Sequence, residues 1–430
     1  MNKIILLLMT LMFASSCLQQ ETKEVGKEGI FSGIFSHGNF SDAISFQIKK
    51  DSTEWKVFFT SLEQNAFQIP ARNIIVHADS INFILQSDRF TYSFKNQWID
   101  NYTKLSGVLQ VDTLQVAYIL ENETTTEEEN IKSEEIIFQS NGLKMGGTVR
   151  IPAKPNNNAI VFLTSSGGGD RSGSRAEAIY FANKGYVTFH YDKRGTGASE
   201  GNWQTATMEE LLSDDITIIT HFSEQTGIPL SKIGIKGSSQ GATKVPYILN
   251  ELEELKYGIA VSCPGSTLLE SDLNAWKNNN SDIPEEGVEL QRKVFRDIAG
   301  DLNRIELEKS IALEKSKPWF RNIWIPNLDE VQVDPKLLYS PIPYFKETKQ
   351  PILVIQGTLD EIIPKKSHEL ISNALEEAGN ENYEIVELKD ANHSMSHVGQ
   401  TDFPYWAKLH DDYLSSIEDW INKTSIKTNF

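Results

Sequence analysis

With 430 residues the chain is long enough for two or three domains, each with a full core. Its 59 acidic against 41 basic side chains give a formal net charge of -18, which disfavours nucleic acid and anionic lipid surfaces as partners.

The start of the chain reads as a secretory signal over residues 1–17. Lys3 supplies a positive end, Ile4 to Phe13 an apolar run too short to span a bilayer, and Ala14-Ser15-Ser16-Cys17 a small-residue site ending in cysteine. That ending resembles the lipobox of bacterial lipoproteins. The resemblance implies lipid attachment at Cys17 and an exported, membrane-tethered protein of the bacterial cell envelope, on its periplasmic or surface side. A plain cleaved signal in which Cys17 is incidental is the alternative. The only other cysteine is Cys263, so a mature chain has no internal disulfide and must rely on its core. No later segment is apolar enough for a second crossing, and the body is expected to be soluble.

Residues 25–120 carry short alternating runs: Ile44, Phe46, Ile48; Ile81, Phe83, Leu85; Phe90, Tyr92, Phe94; Leu105, Leu109, Val111; Val116, Tyr118. A period of two repeated about every ten residues predicts antiparallel strands in a small all-β sandwich or barrel. His37 and His77 stand alone there, so this region is expected to bind, position or cover rather than catalyse. Glutamates then cluster at Glu121, Glu123, Glu127 to Glu129, Glu134 and Glu135, which predicts a solvated acidic linker over 121–135.

From 136 to 425 the pattern alternates between strands and helices. Leu143 to Arg150, Ala159 to Leu163, Val187 to Tyr191, Ile233 to Lys236, Tyr257 to Ser262, Pro351 to Gln356 and Tyr383 to Leu388 read as strands. Arg175 to Lys184, Met208 to Thr226, Gln240 to Leu249, Lys365 to Ala378 and Tyr405 to Ile421 read as helices. This implies an α/β fold whose mainly parallel sheet is covered on both faces. Residues 263–350 break the rhythm with helical periodicity at Val288, Gln291, Phe295, Ile298 and Leu302, then an aromatic-rich run. They are expected to form a helical cap over the ligand end of the sheet.

The chemistry gathers at strand ends. Gly237-Ser-Ser-Gln-Gly241 follows the strand Ile233 to Lys236 and opens a helix, the context of a nucleophile elbow presenting Ser239. Gly197-Ala-Ser-Glu-Gly201 has the same spacing but opens no helix, so Ser199 is read as a turn residue. A serine hydroxyl needs a base to take its proton and a carboxylate to orient that base. Asp360 follows the strand Pro351 to Gln356, and His393 follows Tyr383 to Leu388, in the order acid then histidine. Asp390 is the alternative acid, whereas Glu361 should point away. His397, four residues after His393, could join a metal site, but no third ligand has suitable spacing; neither metal nor cofactor is expected. Two backbone amides should receive the oxyanion: Gln240, next to the nucleophile, and Ser166 in Leu163-Thr-Ser-Ser-Gly-Gly-Gly-Asp-Arg171, with Gly167 next.

Together with Tyr191-Asp-Lys-Arg-Gly-Thr-Gly-Ala-Ser199 and Asn392-His393, these motifs resemble the alpha/beta-hydrolase superfamily over about 133 to 425. The resemblance is to its esterase branch, near the dienelactone-hydrolase-like and serine-aminopeptidase-like members. It implies an alpha/beta-hydrolase sheet with a helical cap insertion, and a structural role for the Asp-Lys-Arg-Gly turn. Some members carry an amino-terminal β domain, whose recurring segment Ser61-Leu-Glu-Gln-Asn-Ala66 with Ile69-Pro70 resembles. The expected activity is a carboxylesterase cleaving small to moderate acyl esters through an acyl-enzyme. A peptidase or amidase with the same triad would need an amine anchor such as Glu285, Glu286 or Asp297; a non-catalytic binding lipoprotein is the third reading. The natural ester and the oligomeric state are not legible.

Overall fold

The computed structural model describes residues 27–427, apart from 39, 53, 63, 65, 87–90, 124–130 and 397–408; Cys17 and His397 therefore lie outside the described residues. The first nine strands are β1 (Gly29–His37), β2 (Phe40–Asp51), β3 (Glu54–Ser61), β4 (Ala66–Pro70), β5 (Arg72–Val76), β6 (Ser80–Gln86), β7 (Thr91–Ile99), β8 (Lys104–Val111) and β9 (Leu114–Glu123). Except across the β4–β5 junction, each pairs antiparallel with its chain neighbour within this set, and β1 also pairs with β9. Only Ala71 separates β4 from β5, which pair with β3 and β6 respectively, so this one bent segment closes the sheet into a barrel. Alternate residues point inward, and aromatic rings fill the middle. Phe46 meets Phe83 and Phe94 edge-on with ring centroids 5.0 Å apart. Within the recurring segment, Ser61 and Gln64 both donate to the buried carboxylate of Asp42.

The acidic linker is shorter than 121–135. Glu121 and Glu123 lie in β9, while Glu134 and Glu135 lie in β10 (Ile131–Ser140), the first strand of the second sheet. Strand β10 pairs along its whole length with β11 (Leu143–Pro152). Asn141 and Gly142, with φ of 50° and 79°, make the two-residue turn between them, and the charged residues of β10 lie on the sheet's outer strand.

After β11 come β12 (Ala159–Phe162), α1 (Arg175–Asn183), β13 (Val187–Tyr191), α2 (Met208–Thr226), β14 (Ile233–Ser238), α3 (Gln240–Glu251) and β15 (Tyr257–Val261). The insertion follows, with α4 (Leu268–Asn278), α5 (Glu285–Ile298), α6 (Arg304–Glu314) and α7 (Ile342–Phe345). The chain then completes the sheet with β16 (Ile352–Gly357), α8 (Ser367–Glu377), β17 (Tyr383–Leu388) and α9 (Tyr413–Lys427). The strand order is β10-β11-β13-β12-β14-β15-β16-β17, parallel from β13 onward.

Both faces are buried with a period of two. Ile160 and Phe162 pack with Phe181 of α1 and Trp420 of α9, whereas Ala159 and Val161 join the core with Phe222 of α2 and Val245 of α3. Helix α2 starts at a reciprocal capping box between Thr207 and Glu210 and stops at Gly227 with φ 69°, which is why its bounds are sharp. Helix α9 begins at Tyr413, after Leu409 has bridged Ser396; Tyr405, where the sequence reading starts this helix, lies outside the described residues. The insertion has its own core, built from residues such as Leu273, Val294 and Leu307.

Candidate active site

The turn from β14 into α3 holds Ser239 at φ 54° and ψ -124°, a region that costs about 1–3 kcal/mol for a residue with a side chain. The surrounding glycines make the turn possible. A Cβ on Gly237 would sit 2.2 Å from the Gly241 carbonyl oxygen, and one on Gly241 would sit 3.0 Å from that of Thr164. Strand, serine and helix are thus pressed together, and the first amides of α3 have no acceptor within the helix.

Ser199 is a different object. It is buried, its hydroxyl donates to the Asp192 carbonyl at 2.7 Å, and it accepts the Gly146 amide at 3.0 Å. The first bond closes the 192–199 turn on itself and the second staples it to β11, so Ser199→Ala should lower unfolding free energy by about 1–3 kcal/mol in a denaturant titration. Turnover per folded molecule should be unchanged.

The loops after β16 and β17 meet. His393 Nδ1 lies 3.0 and 3.1 Å from the two carboxylate oxygens of Asp360. Asp360 is buried, and Oδ1 also accepts the amides of Ile362 and Ile363, both at 2.9 Å, while Oδ2 accepts Gln356 Nε2 at 3.0 Å. Burial opposes the charge on Asp360, but His393 and those amides outweigh it and hold the carboxyl below its usual range. Asp390 is not the partner: its backbone amide donates to Thr358, and Asp360 occupies the imidazole. Glu361 does not simply point away, since its carboxylate accepts the His393 amide at 3.2 Å. The sequence reading also missed Ser262. At φ 48° past the end of β15, it donates its hydroxyl to the His393 carbonyl at 2.8 Å.

Ser239 lies between two cavities. One, of about 310 Å³, has mixed walls; it is lined by Ser239 and His393 together with Ser166, Arg171, Lys236 and Met395. The other, of about 200 Å³, is bounded by Ser239, Gln240 and Ser166 on the sheet side and by Leu268, Asp272 and Leu337 of the insertion. Ser166 and Gln240 therefore border the nucleophile from the two loops expected to supply amides. Gly167 is in the second cavity wall as well.

The acidic residues expected to anchor an amine are elsewhere. Glu285 and Glu286 are exposed on α5, and Asp297 is buried against Arg304 at 2.7 Å. In their place Asp272 faces the smaller cavity. Its side chain is solvent-exposed at the cavity wall and has no hydrogen bond or ion pair among the described residues; the surrounding walls and the charge of Asp334 push its carboxyl above the usual range. Its place on α4, one turn beyond Leu268, is the signal that could have found it. Among the described residues no group of three His, Cys, Asp or Glu side chains could hold a metal ion.

A family model described as X-Pro dipeptidyl-peptidase (S15 family) matches residues 114–395, a span that contains Ser239, Asp360 and His393. The chain belongs to this family. It is accordingly a hydrolase built on the alpha/beta-hydrolase fold, with an antiparallel β domain in front. No curated protein matches it. Among solved structures, an esterase of Pyrococcus furiosus is similar at 16% identity, covering 70% of this chain and 96% of that one with a TM-score of 0.45. A proline iminopeptidase of Mycobacterium smegmatis is similar at 15% identity, with 69% and 100% covered and a TM-score of 0.46. The 2-hydroxy-6-oxo-6-phenylhexa-2,4-dienoate hydrolase of a Rhodococcus strain gives 16% identity, 68% and 99% covered and 0.43.

Proposed function

We propose that this S15-family chain is a serine hydrolase that cleaves carboxylic esters of small to moderate acyl groups. The observation that carries this reading is the elbow conformation of Ser239 on the same cavity wall as His393, whose Nδ1 is engaged by Asp360. Ser239 Oγ attacks the ester carbonyl while His393 Nε2 takes its proton, and the amides of Gln240 and Ser166 receive the negative oxygen. The tetrahedral adduct collapses, and His393 returns the proton to the departing alkoxide, leaving an acyl group on Ser239. A water molecule, deprotonated by the same histidine, then releases the acid and restores the hydroxyl. The walls of the smaller cavity, among them Trp203, Leu211, Leu268, Leu337, Ile362 and Ile363, suit an apolar acyl chain. The small-residue run ending at Cys17 supports, within the same proposal, a lipid tether to an envelope membrane.

A second reading, aminoacyl amide or peptide hydrolysis, is favoured by the unpartnered Asp272 in the acyl cavity and by the family description. An ammonium on the acyl part would supply the cation that Asp272 lacks. The two readings separate in a panel of short acyl esters and aminoacyl amides. Ester turnover should dominate; dominant amide turnover would reverse the order. Asp272→Asn should cost aminoacyl substrates about 10-fold or more in kcat/KM and leave simple esters unchanged. Since Asp272 loses its charge as it takes up a proton on acidification, and its carboxyl lies above the usual range, KM for aminoacyl substrates should rise as pH falls while that for esters stays level.

A further inference from the structure

The loop that carries Ser166 is held by one buried cation. Lys193, just past β13, is 4% exposed, and its Nζ donates to the Ser165 carbonyl at 2.7 Å and to the Gly167 carbonyl. Its ammonium also lies over the Trp203 ring, 5.0 Å from the centroid. Among the described residues it forms no ion pair, unlike its neighbours: Arg194 pairs with Asp214, Lys244 with Asp215 and Lys336 with Asp334. A buried ammonium without a counter-ion is costly, so its two carbonyl partners define where it can sit.

The peptide unit is planar and trans, so the Ser165 carbonyl and the Ser166 N–H point in opposite directions. Fixing the first on Lys193 fixes the second. The positive charge behind that peptide also polarises it and makes the N–H a stronger donor. Lys193, Ser166 and Ser239 border the same cavity. We propose that Lys193 is a positioning residue for the oxyanion, acting through the Ser165–Ser166 peptide, which it orients and polarises toward the charge developing on the substrate carbonyl. The proposal rests on the hydrolase reading of Ser239.

The charged groups facing Lys193 come from several elements. Burial, then Lys244 on α3 and Lys336 in the insertion lower its affinity for a proton, Asp215 on α2 opposes them, and together they bring it down to about 8. Asp272 and Asp334 border the same cavity. The ammonium is thus lost near the upper end of ordinary pH, and an alkaline limb in kcat follows, on the side where rate falls as pH rises.

The experiment is steady-state ester hydrolysis by the full chain from about pH 6 to about pH 10. It compares the wild type with Lys193→Met and Lys193→Arg, alongside the affinity of a trifluoromethyl ketone as a tetrahedral-adduct mimic. Lys193→Met should lower kcat by about 10- to 100-fold with KM within about 3-fold, weaken the ketone in parallel, and lose the limb near pH 8. Lys193→Arg should keep most of kcat and move the limb upward, because a guanidinium stays charged across the range. If Lys193→Met fails to fold, the Lys193→Arg profile decides: an unmoved limb overturns the proposal. So does a folded Lys193→Met with unchanged kcat, or one in which only KM rises. Failure of the hydrolase reading looks different, since then the wild type itself turns over no ester.

Discussion

Ser239→Ala is expected to lower kcat by roughly a million-fold, to the residual rate that binding and the oxyanion amides alone supply. The magnitude follows from the chemistry, because no other hydroxyl can take its place. Ser238 is adjacent but its Oγ accepts Lys236 Nζ at 2.8 Å, and Ser199 is tied into its turn by two hydrogen bonds. The variant should keep its stability, since alanine at φ 54° retains the strain and the Ser239 hydroxyl caps no helix amide. A fluorophosphonate probe checks the assignment directly. Label should vanish in Ser239→Ala and persist in Ser199→Ala; label that survives in a folded Ser239→Ala would move the nucleophile elsewhere.

Asp360→Asn is expected to cost about 10,000-fold in kcat at neutral pH, with the fold intact. The cause is the tautomer of His393. Two amides, of Ile362 and Ile363, donate to Oδ1, so the asparagine oxygen must remain there and its NH2 takes the place of Oδ2. Gln356 can turn its amide to accept from that NH2, because its Oε1 is buried without a partner. The NH2 also faces His393 Nδ1, stabilising the tautomer with the proton on Nε2, which cannot take a proton from Ser239. The alanine variant would lose the same function and leave those amides unpaired, so asparagine is the cleaner test. A loss below about 10-fold would point to Glu361, already bonded to the His393 amide, as the working acid. In the wild type the ionised Asp360 contributes stability that is complete above about pH 4 and lost as pH falls through its lowered folded value.

What could be read from the sequence divides along a physical line. Ser239 and Asp360 each follow a short apolar strand with both faces buried, and His393 follows the partly buried edge strand β17, so the alternation of strand and helix located all three at one end of a sheet. Strand β10 was missed because Lys132, Glu134 and Glu135 make it look like a solvated linker, even though Asn141-Gly142 is a strong hairpin signal. Closure of the barrel was not legible either, since it depends on which partners β4 and β5 choose on either side of Ala71. Lys193, Asp272, Ser262 and Glu361 matter through contacts more than 25 residues away in sequence, and local pattern contains no trace of such meetings.

Closure of the barrel has a consequence for how the molecule meets others of its kind. Because β1 pairs with both β2 and β9, and the bent segment 66–76 pairs with β3 through β4 and with β6 through β5, most described strands of the amino-terminal sheet have partners on both sides, and the backbone left for another chain to extend is confined to the short free edges of β4 and β5. In the second sheet β10 and β17 are the outermost strands, and the first of these carries Lys132 and Glu134, paired at 2.5 Å across its exposed surface. What open backbone remains along the described strands therefore lies on the charged β10, on the six-residue β17 and on the short β4 and β5, and cross-molecular strand exchange has few places to start.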